Sequence, residues 1–414
     1  MSQQAIAAPA GGQVLLGRTL LALLAVLVLA VVVLLLAAQD GGLALSWVFG
    51  LGTGFVLQRS RFCFASAFRD LFLLRDARMM KAVVLGLAVA TGGFALYQAR
   101  LVPDPSVGSL PPQAHVVPVG LHLVVGGVVF GIGMVIGGGC VSGNLYRIGE
   151  GYVGSVVAVG GMLVGLLLAA HTWNWWWLWH IGQQPVVWLP RVLGYGGAVA
   201  LTLALLAALF VALLWWESSQ GPGLPVAGRR RAETPAFTFS AKVRQLWRTV
   251  FVHGWPAALG GAALGAWNVF NYLGDHPLGV TGELAVWSDR IARAFALGAP
   301  PLLGVDQFAG CNLVSGGAGI VTHTFLLDTG IVLGSFVAAV LAGEFKVRVP
   351  PRRSRYLQAL GGGVLMGYGA GLAIGCTIGA FFSAVPSLGL NGWVFGASLA
   401  LGSFVGVKLL RRLP

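Results

Sequence analysis

From Thr19 to Ala38 the chain reads TLLALLAVLVLAVVVLLLAA, with neither a charge nor a proline. About 20 apolar residues in a helix span the hydrocarbon core of a bilayer. A run of this kind constrains the fold more than any other feature. It belongs in lipid, and there the backbone must satisfy its own N–H and C=O groups, which leaves the helix. The run is longer than the core of a cleaved leader and reads as a retained span; a leader is the alternative.

Apolar runs centre near 15–38, 43–57, 80–99, 120–137, 152–171, 192–216, 255–273, 328–345, 357–374 and 391–410. The chain is 57% hydrophobic and 9% charged, which excludes an ordinary soluble domain. The expected fold is therefore all-α: a polytopic membrane helix bundle of about nine or ten spanning helices. Four segments are expected: an N-terminal span (1–42), a first membrane repeat (43–216), a polar and basic cytoplasmic linker (217–250) and a second membrane repeat (251–414). Between about 274 and 327 the apolar pattern breaks into short pieces, which predicts re-entrant segments.

The net charge of +13 does not point to nucleic acid, because the basic residues cluster beside the apolar runs. With a cytoplasmic N-terminus, 22 of the 26 Lys and Arg fall on one side, as the positive-inside rule requires. Both termini are then cytoplasmic, in a bacterial inner membrane. The other side receives the tryptophan-dense stretch 173–188, an interfacial aromatic belt.

Residues 126–143 (GGVVFGIGMVIGGGCVSG) slide without a gap over 362–379 (GGVLMGYGAGLAIGCTIG), with eight identities in eighteen positions, Cys140/Cys376 among them. Charge sends the helix before Cys140 inward and the helix before Cys376 outward, so the two units read as inverted copies. Inverted repeats commonly place a transport site on broken helices whose free N–H ends face an anion. Cys63 lies beside the first basic cluster and Cys311 in the broken section. Their surroundings match each other poorly.

One buried cysteine is ordinarily a small hydrophobe. Four, two of them in a repeated glycine frame, suit an anionic sulfur compound. Gly139, Gly143, Gly375 and Gly379 let the backbone turn, half-helix N–H groups meet anionic oxygens, and neutral thiols meet sulfur. Arg59 and Arg61 would draw anions to the inner mouth. Asn144 and Thr377 are candidate lining, with Ser142, Asn312, Ser315 and, more weakly, Thr281. No metal centre or other cofactor is expected, since no familiar ligand spacing occurs; residue type alone leaves Cu(I) open. Asp306, Asp328 and Glu344 are the carboxylates to test for energy coupling.

The segments GFVLQRSRFCFASAFRD, GIGMVIGGGCVSG and GYGAGLAIGCTIGAFFSAVPSLGLNGWVFGASLALGSFVGVKL resemble the YeeE/YedE family of sulfur transport proteins. The resemblance runs from about residue 43 to the C-terminal end. It implies thiosulfate uptake through a helix bundle with short re-entrant helices, and essential cysteines on a central path, here Cys63, Cys140 and Cys376. Cys311, in a GCN context, departs from the pattern. It also implies hand-over to a small cytoplasmic sulfur-carrier or sulfurtransferase protein. The expected function is a permease for thiosulfate or a related sulfur anion and not an enzyme. The alternative is an integral-membrane sulfurtransferase that carries a cysteine persulfide.

Overall fold

The computed structural model of the chain describes residues 11–218, 247–307, 319 and 321–412, the side chains of 11–23, 248, 249 and 307 excepted. The described residues are helical throughout, with isolated bridges but no strand. In order they are α1 (Gly11–Gln39), α2 (Gly41–Ser60), α3 (Phe64–Leu73), α4 (Arg78–Leu101), α5 (Leu121–Ile136), α6 (Val141–Gly149), α7 (Val153–Trp179) and α8 (Pro190–Ser218). After the intervening residues come α9 (Ala257–Gly274), α10 (Thr281–Ala294), α11 (His323–Leu341), α12 (Arg353–Leu372), a π-helical turn Thr377–Ser383 and α13 (Leu390–Leu410). The expected linker falls largely on residues 219–246, outside the described residues.

Among the described residues seven stretches are long and apolar enough to cross a membrane, eight if α12 and the Thr377–Ser383 turn, bent 45° to each other, form one span. The protein is a multi-pass membrane protein. The nine or ten spans expected from sequence counted two more helices. One is α1, of which the side-chain-described part, Leu24–Gln39, is a shorter apolar helix. The other is α9, made more polar by its buried Asn268 and Asn271.

Exchanging the two halves leaves the packing unchanged. α5 lies on α13 and α7 on α12, while α2 lies on α11 and α4 on α9. Matching α5 with α12, α7 with α13, α2 with α9 and α4 with α11 turns each contact into the other of its pair. Where α5 crosses α12, a Cβ at Gly126 would lie 2.9 Å from the Gly369 carbonyl oxygen, and one at Gly133 would lie 2.7 Å from that of Gly362. In the sequence repeat 126 matches 362 and 133 matches 369, so these are one contact seen from both sides. The numbering runs in opposite directions along the two helices, which makes the repeat inverted. Bare glycine backbones allow that approach.

The bundle has a basic end and an aromatic end. At the basic end α2 and α11 finish, α7 and α12 begin, and Tyr152 bridges to Arg348. At the other end the loops 102–120, 180–189 and 384–389 are joined by the bridges Pro118–Val186 and Trp188–Gly389.

Candidate functional site

Each described cysteine caps the start of a short helical segment inside the bundle: Cys63 for α3, Cys140 for α6 and Cys376 for the Thr377–Ser383 turn. All are free thiols and fully buried. The glycines before them provide the breaks. Gly138 (φ 74°) ends the α5 segment and Gly375 (φ 151°) precedes Cys376, backbone conformations that a Cβ disfavours. Cys311, Asn312 and Ser315 lie outside the described residues.

Cys63 and Cys140 meet. Their sulfur atoms converge on one glycine: a Cβ at Gly143 would lie 3.0 Å from both. The Cys140 sulfur also accepts the Gly143 N–H at 3.3 Å and lies 3.5 Å from the Ser142 hydroxyl. Asn144 donates its amide to the Cys140 carbonyl at 2.9 Å. Arg147 completes this face of α6. Cys140, Asn144 and Arg147 follow at spacings of four and three, which puts them on one side of a helix. A Cβ at Gly139 would lie 3.0 Å from the Asn144 amide and 3.2 Å from the Arg147 guanidinium, which itself donates to the Gly138 carbonyl. Sequence reading counted Arg147 only as a topological charge; its helical spacing from Cys140 was the signal available.

Beyond the thiol pair a cavity of about 700 Å³ opens at the basic end, lined in part by Arg61, Ser66, Tyr146, Arg147, Lys346 and Arg348. Two carboxylates, Glu150 and Glu344, stand among these cations and are bridged by Gln58, whose amide donates to them at 3.1 and 2.9 Å. Arg59 is 1% exposed and fully committed: to Glu344 at 2.7 Å, to the Gln58 side chain at 2.6 Å, and to the Phe251 and Val252 carbonyls at 3.1 Å. Arg61 reaches Glu344 at 3.0 Å with its side chain 70% exposed, open to the cavity. Burial pushes the Glu150 carboxyl up from its ordinary value, against the Gln58 hydrogen bond and the Arg147 charge. Burial acts the same way on Glu344, but there Gln58, Arg59 and Arg61 outweigh it and hold the carboxyl below its ordinary value.

Cys376 lies apart from this pair, on the inverted counterpart of the α5–α6 break. Phe62 and Phe64, which flank Cys63, meet Phe382 of the Cys376-capped turn, with ring centroids 6.5 and 5.3 Å apart. All these rings are buried. Around Cys376, Gly375 and Gly379 are backbone neighbours, and the Thr377 hydroxyl is buried with no partner. A Cβ at Gly375 would lie 3.3 Å from the His115 ring. His115 was among the histidines set aside for want of ligand spacing. Here its Nε2 is buried without a partner beside a cysteine frame.

A family profile described as Sulphur transport matches residues 59–405. A protein named thiosulfate transporter TsuA from Escherichia coli (strain K12) is 31% identical over 370 residues, 87% of this chain and 92% of that protein. A namesake from Spirochaeta thermophila is 32% identical over 385 residues, 90% of this chain and 98% of that protein. The probable transporter YedE of E. coli is 32% identical over 184 residues, 44% of this chain and 43% of that protein.

Proposed function

The chain belongs to the sulphur transport family, and we propose that it is an inner-membrane permease importing thiosulfate or a closely related sulfur anion. The observation that carries the reading is the repeated placement of buried thiols at the N-terminal caps of broken helices, two of them in contact just beyond a cationic cavity. The relatives named as thiosulfate transporters support the substrate class.

A dianion leaving water needs compensation for its hydration, and broken-helix starts offer it as oriented N–H groups. Thiols at the same caps offer weak S–H donors to the terminal sulfur. Weak contacts at successive positions let the anion leave as readily as it binds. In this reading the anion passes Cys376, then the Cys140–Cys63 pair, and emerges among Arg147, Arg61, Lys346 and Arg348. Arg59, with its partners fixed, positions Glu344 and Gln58 and does not touch the anion. Gly139, Gly143, Gly375 and Gly379 keep the backbone close to the path, and Asn144 and Thr377 line it. The basic end faces the cytoplasm, where a small sulfur-carrier or sulfurtransferase protein collects the product.

One observation favours the sulfurtransferase reading as a second. Arg147 stands on the Cys140 face of α6, 3.2 Å from a Cβ built at Gly139, a second cation near the cysteines beside Arg61, which lies two residues before Cys63. A thiolate there would attack the sulfane sulfur, form a cysteine persulfide and release sulfite with the electron pair of the broken S–S bond.

Uptake of labelled thiosulfate into proteoliposomes tests the path. Cys140→Ala and Cys140→Ser should each lower the rate at least tenfold. A fully active pair would return Cys140 to simple packing.

A further inference from the structure

A permease for a dianion works against the membrane potential. At 100 mV, negative inside, the internal equilibrium concentration of a dianion falls by about three orders of magnitude, and each proton carried with it recovers about fiftyfold. Import under these conditions calls for a place that takes up a cation within the bundle.

The described residues hold one such place. Asp328 on α11 is 6% exposed, and neither carboxylate oxygen has a hydrogen-bond partner. It lies one helical turn beyond Thr324, on the same face. The Thr324 hydroxyl donates to Glu283 of α10 at 2.7 Å, and the Thr322 hydroxyl donates to the same oxygen, also at 2.7 Å. The other Glu283 carboxylate oxygen is buried without a partner, as is the Thr281 hydroxyl two residues earlier. Two buried carboxyl groups thus belong to this end of α11, Glu283 with two donors and Asp328 with none. A buried carboxyl without a donor is much less costly to bury when it carries a proton.

Charges on the other elements packed against α11 do not supply that compensation. Arg59 of α2 and Tyr146 and Arg147 of α6 belong to the basic end, where Arg59 binds Glu344, sixteen residues beyond Asp328 and about 24 Å away at the helical rise. The described side chains of α1 carry no charge. On α10, Asp289 pairs with Arg293 at 2.7 Å and Arg290 donates to the Gly319 carbonyl. His323, on α11 itself, faces Ser46 at 3.0 Å and Asp275. Glu283, held through Thr324, is the carboxyl that shares this end of α11 with Asp328.

The place is tied to the anion path. Under the two-fold exchange α10 takes the position of α3, so Glu283, third residue of α10, corresponds to Ser66, third residue of α3 and part of the inner cavity wall. The loop entering α10 is held to the Cys376-capped turn: the Ser383 hydroxyl donates to the Leu278 carbonyl at 2.7 Å, and the Leu278 N–H donates to Asn268 at 2.8 Å.

Resting on the permease reading, we infer that Asp328, one helical turn from the threonine that holds Glu283, is a proton-binding site that couples thiosulfate uptake to proton entry. A proton adds to an Asp328 carboxylate oxygen from the aromatic-end side and leaves to the basic-end side with each anion moved.

Proteoliposomes with the potential clamped at zero by valinomycin and equal potassium test it, using labelled thiosulfate. A pH gradient of two units, acid outside, should drive about hundredfold accumulation for one proton per anion. Asp328→Asn should keep thiosulfate exchange but only equilibrate. If Asp328→Asn loses exchange as well, Asp328→Glu decides: restored accumulation supports the carboxyl's role, and its absence overturns it. Exchange in the native protein without accumulation, accumulation driven by a sodium gradient instead, or accumulation retained by Asp328→Asn would each overturn the coupling site while leaving the permease reading intact. No labelled thiosulfate entering at all would overturn the permease reading itself.

Discussion

Cys63 and Cys140 aim their sulfur atoms at the same face of Gly143, so that a Cβ there would lie 3.0 Å from each. That distance is shorter than van der Waals contact, and the neighbours that must give way are the two thiols. Gly143→Ala should therefore separate the pair while leaving the α5–α6 break in place. Overpacking of this kind costs about 1–3 kcal/mol. The expected result is uptake lowered at least tenfold with the transporter still folded, as read by labelled uptake beside size-exclusion and melting profiles. Unchanged uptake would mean that contact between these thiols is not needed.

Phe62, Phe64 and Phe382 meet edge to face between the Cys63 and Cys376 segments, completely buried. Packed rings exclude water from the stretch they occupy, and an apolar constriction gates by dewetting. Phe382→Ala should open a void that admits water and raise passive proton leak in sealed vesicles, measured with a trapped pH dye. An unaltered leak would place the cluster outside the path and leave it a packing element.

Glu344 joins the basic end together, and its removal exposes the dependence. Glu344→Gln takes the counter-ion from Arg59, which is 1% exposed. Leaving a buried charge uncompensated is destabilising by roughly 3–5 kcal/mol. The native carboxyl lies below its ordinary value of 4.5: burial raises it, but Gln58, Arg59 and Arg61 more than reverse that. The folded form therefore binds fewer protons than the unfolded form as the medium turns acid, and the stability from this group is full above 4.5 and lost as pH falls through the lowered value. Melting temperatures taken between pH 6 and pH 3 should fall in that window, and Glu344→Gln should flatten the fall.

His115 gives a separate window. Burial pushes its imidazole down to about 4 from 6.5, so it is neutral in the folded protein where the unfolded chain would be charged. Its contribution to stability is present above 6.5 and lost as pH falls toward about 4. His115→Gln should weaken the dependence between those limits while leaving the Glu344 window below it. A native melting curve flat from pH 6.5 to pH 4.5 would contradict the burial of a neutral ring.

The inverted repeat was legible because the glycines that let α5 and α12 touch also write the pattern: Gly126, Gly133, Gly362 and Gly369 pair in space as they align in sequence. Cys140 and Cys376 were legible for the same reason, since the glycines ahead of each break are demanded by backbone geometry. The N-cap role of Cys63 was harder to read. α3 and α10 correspond by packing, yet one opens on FAS and the other on TGE, with no shared residue to align. Of the mouth, Arg59, Arg61 and Glu344 were legible one by one, but not their joining to Gln58 and Glu150, because these residues come from separate elements and only the fold brings them together. α9, with buried Asn268 and Asn271, offers no stretch as apolar as the seven that are long and apolar enough to cross a membrane. Cys311 lies outside the described residues.

The most direct test of the path as a conduit for an intact anion uses thiosulfate carrying a different label on each sulfur. A permease brings both labels into the vesicle lumen together in equal amounts, with none left on Cys63, Cys140 or Cys376. Sulfite appearing outside while the sulfane label stays on one of those cysteines would contradict transport of the whole anion and establish persulfide chemistry in its place.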